Sequence, residues 1–529
     1  MVLSKYIPRK VNLKIPFLLI ILCPAAFLCA CRRSAESERL PNTLAVALES
    51  GPTHLDPRYA MDADSERISA LIFNSLVRPD KNSRLQPELA ESWQAIDERT
   101  YVFQIRKGVS FHNGKPLTAA DVKYTYESII DPTSRSPKRG AFRFLEGVDQ
   151  LGPYEVRFRL AIPFAPFMEE LSLGIVPEAA AADGAAGGWT LIGSGPFKLA
   201  EFSPGERVVL KANASYWEGA PPLSGMVFKI IPDAIVRVLE FRKGTVDFIQ
   251  NYFEPDMLPW MKKNTRAAIL SEQGNIFQYI AMNLDHPILR RREVRAAIGH
   301  AIDREAIIRN ILKGLAIPAT GLLWPEHWAY EPGVKRLDYN PEEAKKLLDQ
   351  AGFPDPDGDG PLARFKLSYK TTTLDLRKRI AEALKEQLAR VGVELEVRAF
   401  EWGTFYGDIG KGNFHLYSLD WVGTKDPDIY YDLFHSSSMP PNGRNRGRYR
   451  NQELDALLER GRRTTNLDER KRIYSRVQEI LADDLPYIPL WWGKNVAVMQ
   501  PAVRDFDLYP DGKLISLKKV SLSTAKPAS

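Results

Sequence analysis

The sequence predicts an α/β protein of several interleaved domains, and three observations carry that prediction. Strand-like runs with period-two alternation recur from one end of the chain to the other. Amphipathic helices with readable caps separate them. No long low-complexity linker interrupts residues 40–520, so the two to four domains that 529 residues suggest must be closely packed or interleaved.

Alternating apolar and polar residues mark strands at 44–48, 100–106 (TYVFQIR), 154–160 (YEVRFRL), 206–211, 226–231 and 393–400 (VELEVRAF). Thr118-Ala-Ala-Asp121 has the spacing of a capping box and opens a helix that runs to about Ile130. Asn340-Pro341, followed by Glu342, Glu343 and Gly352, supplies a cap, a first-turn proline, an acidic first turn and a glycine exit. After Thr373, Leu376, Ile380, Leu384 and Leu388 recur every four residues until Gly392, and strand 393–400 follows at once. That is a helix-to-strand unit of an α/β domain. Ile473, Val477, Ile480 and Leu481 form one face of a further helix that Pro486 ends. Residues 34–39 and 521–529 read as disordered, the first as a tether.

The N-terminus sets the compartment. Lys5, Arg9, Lys10 and Lys14 precede an apolar run over 15–30, the layout of a secretory signal and too short for a membrane span. The run ends in Leu28-Cys29-Ala30-Cys31, which resembles a bacterial lipobox and makes Cys31 the expected lipidated N-terminus of the mature chain. An uncleaved anchor helix is the rival reading, since Pro24 and Cys29 depart from the box. Both readings place the body of the protein outside the cytoplasm, at the periplasm or cell surface. Cys23, Cys29 and Cys31 are the only cysteines, so cleavage leaves no disulfide, and 499 residues are enough for a core that needs none.

The formal charge is +6, but the leader holds four basic residues and no acid, which leaves +2 on the mature chain. Nucleic-acid binding is not expected: the one basic run, Arg444 to Arg450, is short. No GxxxxGK[ST], HExxH or CxxC occurs, and Gly193-Ser194-Gly195 lacks the GxSxG spacing, so no enzyme is predicted and Ser194 is a turn residue. No cofactor or metal is expected. The seven histidines are scattered, although His54, His415 and His435 leave a site assembled across a cleft open. Asp355-Pro-Asp357-Gly-Asp359-Gly360 opens like a calcium loop but carries Lys366 where a glutamate is required, and it reads as an acidic turn.

Several blocks together resemble the dipeptide- and oligopeptide-binding proteins of ABC transporters, extracellular solute-binding protein family 5. They are His54-Leu-Asp56-Pro57, Ile72-Phe73-Asn74-Ser75-Leu76, Pro87 to Trp93, the long signature Arg106 to Val122, Ile192 to Leu199, Asn213 to Trp217 and Val294 to Arg304. The resemblance implies a bilobal periplasmic-binding-protein type II fold (cluster C) with an inserted subdomain, closing on its ligand. Lobe I would comprise 40–76, 191–282 and 486–520, with 77–190 inserted; lobe II would comprise 283–485, with chain crossings near 278–283 and 485–490. The implied partners are a small solute, peptide first, and the transporter's permease subunits, with the membrane reached through the N-terminal lipid. A metal chelate, another small polar solute, or a sensing role without import are the alternatives.

The resemblance also marks a site. Trp402 and Trp421 match tryptophans that wall the cleft in relatives, and an indole offers a large rigid face to variable ligands. Peptide-binding relatives place an aspartate three residues after the second tryptophan, against the ligand's ammonium; here that position is Thr424. Asp426 is expected to take over the role unless the role is absent, with Asp420 and Asp428 as other candidates or mere loop charges. Arg444 is either a carboxylate receiver or a solvated arginine. On the opposite lobe Glu49, Ser50 and Gly51 follow the first strand and would face the ligand by analogy. Trp491 and Trp492 read as structural.

Overall fold

The computed structural model describes residues 41–178 and 191–523, except 252, 359 and 442. The leader and Cys31 lie outside the described residues. Eleven strands form the principal sheet, numbered here in chain order: β1 (Thr43–Leu48), β2 (Phe197–Ser203), β3 (Arg207–Ala212), β4 (Gly225–Ile230), β5 (Phe248–Gln250), β6 (Ala268–Met282), β7 (Ala316–Pro318), β8 (Phe365–Thr372), β9 (Val393–Phe400), β10 (Leu416–Trp421) and β11 (Tyr487–Met499). Their spatial order is β9-β8-β10-β6-β11-β5-β1-β4-β3-β2, with β7 added on β11.

The two long strands β6 and β11 pair antiparallel through nearly their whole length and belong to both halves of the molecule. One end of the pair carries β5, β1, β4, β3 and β2, which is lobe I; the other end carries β10, β8 and β9, which is lobe II. The register breaks between Gln273 and Ile276, where a Cβ on Gly274 would lie 2.6 Å from the Gly493 carbonyl oxygen, closer than any real contact. Only glycine lets the two strands approach there.

Each lobe buries both faces of its part of the sheet, as parallel strands require. In lobe I, Leu44, Val46 and Leu48 of β1 face one core with Phe197, Met226 and Phe248, whereas Ala47 faces another with Phe241, Ile249 and Val498. In lobe II, Leu367, Ile380, Leu384, Leu388 and Leu395 form one aliphatic core, and Tyr279, Tyr417, Tyr474 and Trp492 form an aromatic one on the other face. Fully burying one such side chain stabilises by about 1.5–3 kcal/mol, which is why the four-residue spacing of the 373–392 segment reads so clearly. The helix there spans Asp375–Ala389, and Gly392 leaves it with φ of +78°.

A four-stranded antiparallel sheet (Ala90–Asp97, Thr100–Ile105, Glu155–Leu160, Leu145–Gly152) with the helix Ala119–Ile130 has its own core around Phe103, Tyr126 and Phe158. The backbone N–H of Thr118 donates to Asp121 at 2.8 Å, as the capping spacing predicts. The sequence blocks that looked most distinctive dock this subdomain onto lobe I. Glu88 is buried and accepts hydrogen bonds from Asn74 Nδ2, the Ser75 N–H and Ser75 Oγ at 2.6–2.9 Å. His112 accepts from the Gly193 N–H at 3.2 Å through Nδ1, and its Nε2 lies 3.1 Å from the Gly195 carbonyl. Burial holds the His112 imidazole down at about 4, so the ring is neutral in the fold. A Cβ on Gly193 would sit 1.9 Å from the Ile72 carbonyl oxygen, and Ser194 between the two glycines is a buried turn residue.

One expectation needs correction at the C-terminus. Ser521 and Leu522 are not part of a disordered tail, because they pair antiparallel with Val503 and Arg504, while Val520 is fully buried in the lobe I core.

Candidate binding cleft

The register places the mouth of the site. Within lobe I, Ile249 of β5 lies beside Ala47 of β1 and opposite Val498 of β11, so the carboxyl end of β1 points toward the middle of the β6–β11 pair. In lobe II, Trp421 at the end of β10 pairs with Phe277, which pairs with Trp492, so β10 also ends at that midpoint. Carboxyl ends of strands facing one crevice are where open α/β sheets bind ligands. The lobes meet on both flanks of the crevice. The Ala165 N–H of the subdomain donates to the Arg462 carbonyl of lobe II at 2.8 Å, and Asp256 of lobe I pairs with Arg379 and Lys313 at 2.7 and 3.1 Å.

Trp421 ends β10, partly buried against the aromatic core of lobe II. Its ring lies parallel to Tyr279 at 6.3 Å, and the Arg444 guanidinium stands 5.5 Å from its centroid. Arg444 is half-exposed and pairs with Asp432 at 3.3 Å, so its charge is partly engaged at the rim. Trp402 is 56% exposed at the start of the helix Trp402–Lys411 and stacks on Tyr406, away from any contact with Trp421. Thr424 is buried, with a hydroxyl that has no hydrogen-bond partner among the described residues; the same holds for Trp421 Nε1 and for Oδ1 of buried Asn275, whose amide reaches the Thr424 carbonyl at 3.5 Å. Buried polar groups are nearly always satisfied, so these three atoms are exceptions among the described residues.

The ammonium role expected of Asp426 is not open to it. Its carboxylate is held by both Arg470 guanidinium nitrogens at 2.6 Å, and one oxygen also accepts the Asp428 N–H. Burial alone would lower the Arg470 guanidinium; Asp426 more than offsets it and pushes it up. The alternatives are engaged too: Asp428 forms a two-pronged pair with Arg462 at 2.7 and 2.9 Å, and Asp420 pairs with Arg377. All three candidate carboxylates are therefore paired with arginines of lobe II.

Across the cleft, Glu49 and Ser50 are exposed after β1, and Ser50 Oγ donates to Asp64 at 3.1 Å. Gly51 does not open toward a ligand. A Cβ there would meet Ile230 at 3.3 Å and the Gly205 nitrogen at 3.6 Å, so the glycine permits packing on the β2–β3 hairpin.

A cavity of about 490 Å³ opens beside these residues, lined by the helix Ala63–Ile72, the subdomain and the C-terminal stretch 507–519. None of the residues expected to contact the ligand lines it, but Lys425 does, and among the described residues it is the one lining residue contributed by lobe II. Glu66, Lys138, Glu170 and Lys513 are among the others. Lys138 pairs with Glu66 at 2.8 Å and Lys513 with Asp511 at 2.9 Å. Burial would lower the Lys425 ammonium, yet Glu66, Glu170, Glu169 and Asp511 raise it above its ordinary value. Behind Glu170, burial and nearby Asp426 push the Glu169 carboxyl up to about 8. The sequence carried a signal for Lys425: it is the cation immediately after the position where an aspartate was expected.

Of the three candidate histidines, His415 lies 4.2 Å from His286 with the rings tilted by 42°, His435 stacks on Tyr431 at 4.1 Å, and His54 lies 6.3 Å from Tyr59. Among the described residues no three His, Cys, Asp or Glu side chains are grouped to hold a metal, and no helix is long and apolar enough to cross a membrane.

Two lobes joined by paired strands, with a charged cavity where they meet, are the architecture of a solute-binding protein. The chain belongs to the bacterial extracellular solute-binding proteins, family 5, whose middle region matches residues 84–441. It is 29% identical to the oligopeptide-binding protein AppA of Bacillus subtilis over 97% of this chain and 98% of the relative. The structure of AppA with a nonapeptide superposes with a TM-score of 0.73 at 28% identity, over 91% of this chain and 99% of that one. Heme-binding protein A of Haemophilus influenzae is 28% identical over 89% of this chain and 91% of its own length. NikZ of Campylobacter jejuni, solved with Ni(L-His), gives a TM-score of 0.75 at 27% identity, over 91% and 100% of the two chains. The chain is accordingly a binding protein and not an enzyme.

Proposed function

We propose that the protein is the extracytoplasmic receptor of an ABC importer, which captures a small polar solute, in the first instance a peptide, by closure of its lobes and presents it to the permease. The observation that carries this reading is the charged cavity of about 490 Å³, within the usual range for small-ligand sites, roofed from the opposite lobe by a single side chain. A ligand closes two lobes only through contacts that the open form lacks, and a roof residue from lobe II provides such a contact. The hinge is the β6–β11 pair, with Gly274 and Gly493 at its narrowest approach. Relatives named for oligopeptides and glutathione support a peptide, and the balanced charge of the lining supports a polar solute over an apolar one.

Cys31, outside the described residues, is proposed as the site of lipid attachment, with 31–39 as the tether to the membrane. One acyl chain holds a protein only marginally, so firm anchoring needs more than one. Loss of membrane retention in Cys31→Ser tests it.

Thermal unfolding of the purified protein against free peptides, nickel chelates, haem and sugars tests the main reading, because a ligand of the folded state raises the midpoint by mass action. A rise with free peptides supports it. A rise only with chelates or haem replaces the peptide by that solute.

A further inference from the structure

We infer that Glu170 of lobe I and Lys425 of lobe II are the two poles of the solute site, so that the solute is a short zwitterion lying with its cationic end on the subdomain and its anionic group against lobe II. This rests on the reading of the cavity as the solute site and assigns its polarity. Three observations carry it. Among the described residues Lys425 is the one cavity-lining side chain from lobe II, and Glu170 of the subdomain lines the same cavity. Each feels the other's charge, yet neither forms an ion pair within 4 Å among the described residues, whereas Glu66, Asp511, Asp420, Asp426 and Asp428 all have one. Lastly, Asp420, Asp426 and Asp428, the lobe II carboxylates around Lys425, are each held by an arginine, so we assign the cationic group to lobe I.

The position of the two poles follows from the chain. Lys425 sits in the turn after β10, and its backbone carbonyl lies 3.2 Å from Nε2 of buried His327, which sets the direction of the turn. Glu170 ends the single helical turn Phe167–Glu170, whose Phe167 is anchored in the subdomain core. Burial and the neighbouring acids Asp426 and Glu66 raise the Glu170 carboxyl, while Lys425 and Lys138 oppose them; a ligand ammonium would add to that opposition and favour the charged form. A solute spanning both poles replaces one long-range attraction by two charge-assisted contacts. Because one pole belongs to each lobe, the solute also holds the lobes together.

The test is calorimetric titration of the purified protein with tri-alanine, N-acetyl-tri-alanine and tri-alanine amide. The wild type is expected to bind the free peptide roughly tenfold or more tightly than either blocked form. Glu170→Gln should abolish discrimination against the N-acetyl form alone, and Lys425→Gln discrimination against the amide alone; Glu170→Asp and Lys425→Arg should keep both. Equal binding of free and blocked peptides by the wild type, or variants that weaken all three peptides alike, overturns the polarity. If the wild type binds none of the three, the peptide reading itself fails and takes this assignment with it.

Discussion

The two walls of the cleft are built from the same residue types in opposite states. On lobe II, Asp420, Asp426 and Asp428 are locked to Arg377, Arg470 and Arg462, and the charge there is structural. On the lobe I side, Glu169 is buried and Glu170 part-buried, neither with an ion pair among the described residues, and Glu170 borders the cavity. Paired carboxylates hold a wall in shape; unpaired ones are poised to meet a solute. A carboxylate beside a cleft therefore says little about binding until its partner is known.

Breaking the locked side should have the largest effect. Removing one member of a buried ion pair leaves an uncompensated charge and costs about 3–5 kcal/mol. Asp426→Ala or Arg470→Met should lower the free energy of unfolding, measured by chemical denaturation, by that order. A small loss in chemical denaturation, with ammonium discrimination gone, would instead make Asp426 a ligand residue.

The hinge comes next. Gly274→Ala puts a methyl group against the Gly493 carbonyl and should cost about 1–3 kcal/mol through forced separation of β6 and β11. Solute affinity should fall with it, measured by titration, whereas a change at Gly51 should leave affinity nearly unaltered.

The unlocked side should be visible as a pH dependence. Glu169 is raised in the fold, so its contribution is full below its unfolded value near 4.5 and is lost as pH rises through about 8. His112 and His327 are depressed to about 4 by burial, so theirs is present above about 6.5 and is lost as pH falls toward 4. Thermal midpoints should peak between these limbs, and Glu169→Gln should flatten only the alkaline one.

The smallest effect belongs to the rim. Arg444→Ala removes an exposed pair with Asp432 and should change stability by less than about 1 kcal/mol, as chemical denaturation would show. A large loss of affinity in that variant would make Arg444 a carboxylate receiver after all.

The fold was legible because its signals are local and repeated. The capping pair Thr118 and Asp121, the cap at Asn340, and the row from Leu376 to Leu388 all form the elements their spacing predicts. The distinctive motifs were legible too, but their work is docking: Glu88 and His112 hold the subdomain, and Gly193 and Gly195 let the chain pass the Ile72 carbonyl. The site was legible only in part. Trp421 lies at the end of β10, but the pairing of Asp426 depends on Arg470, forty-four residues away, which no local pattern encodes. Glu170 is brought to the cavity by the subdomain insertion, and Lys425 was hidden beside the position that drew attention.

Small-angle scattering of the purified protein with and without tri-alanine tests the central claim most directly, since a receptor that works by lobe closure must become more compact when its solute binds. The account predicts a smaller radius of gyration on addition of peptide, lost in Lys425→Gln. Tight binding with an unchanged radius would contradict closure as the means of capture.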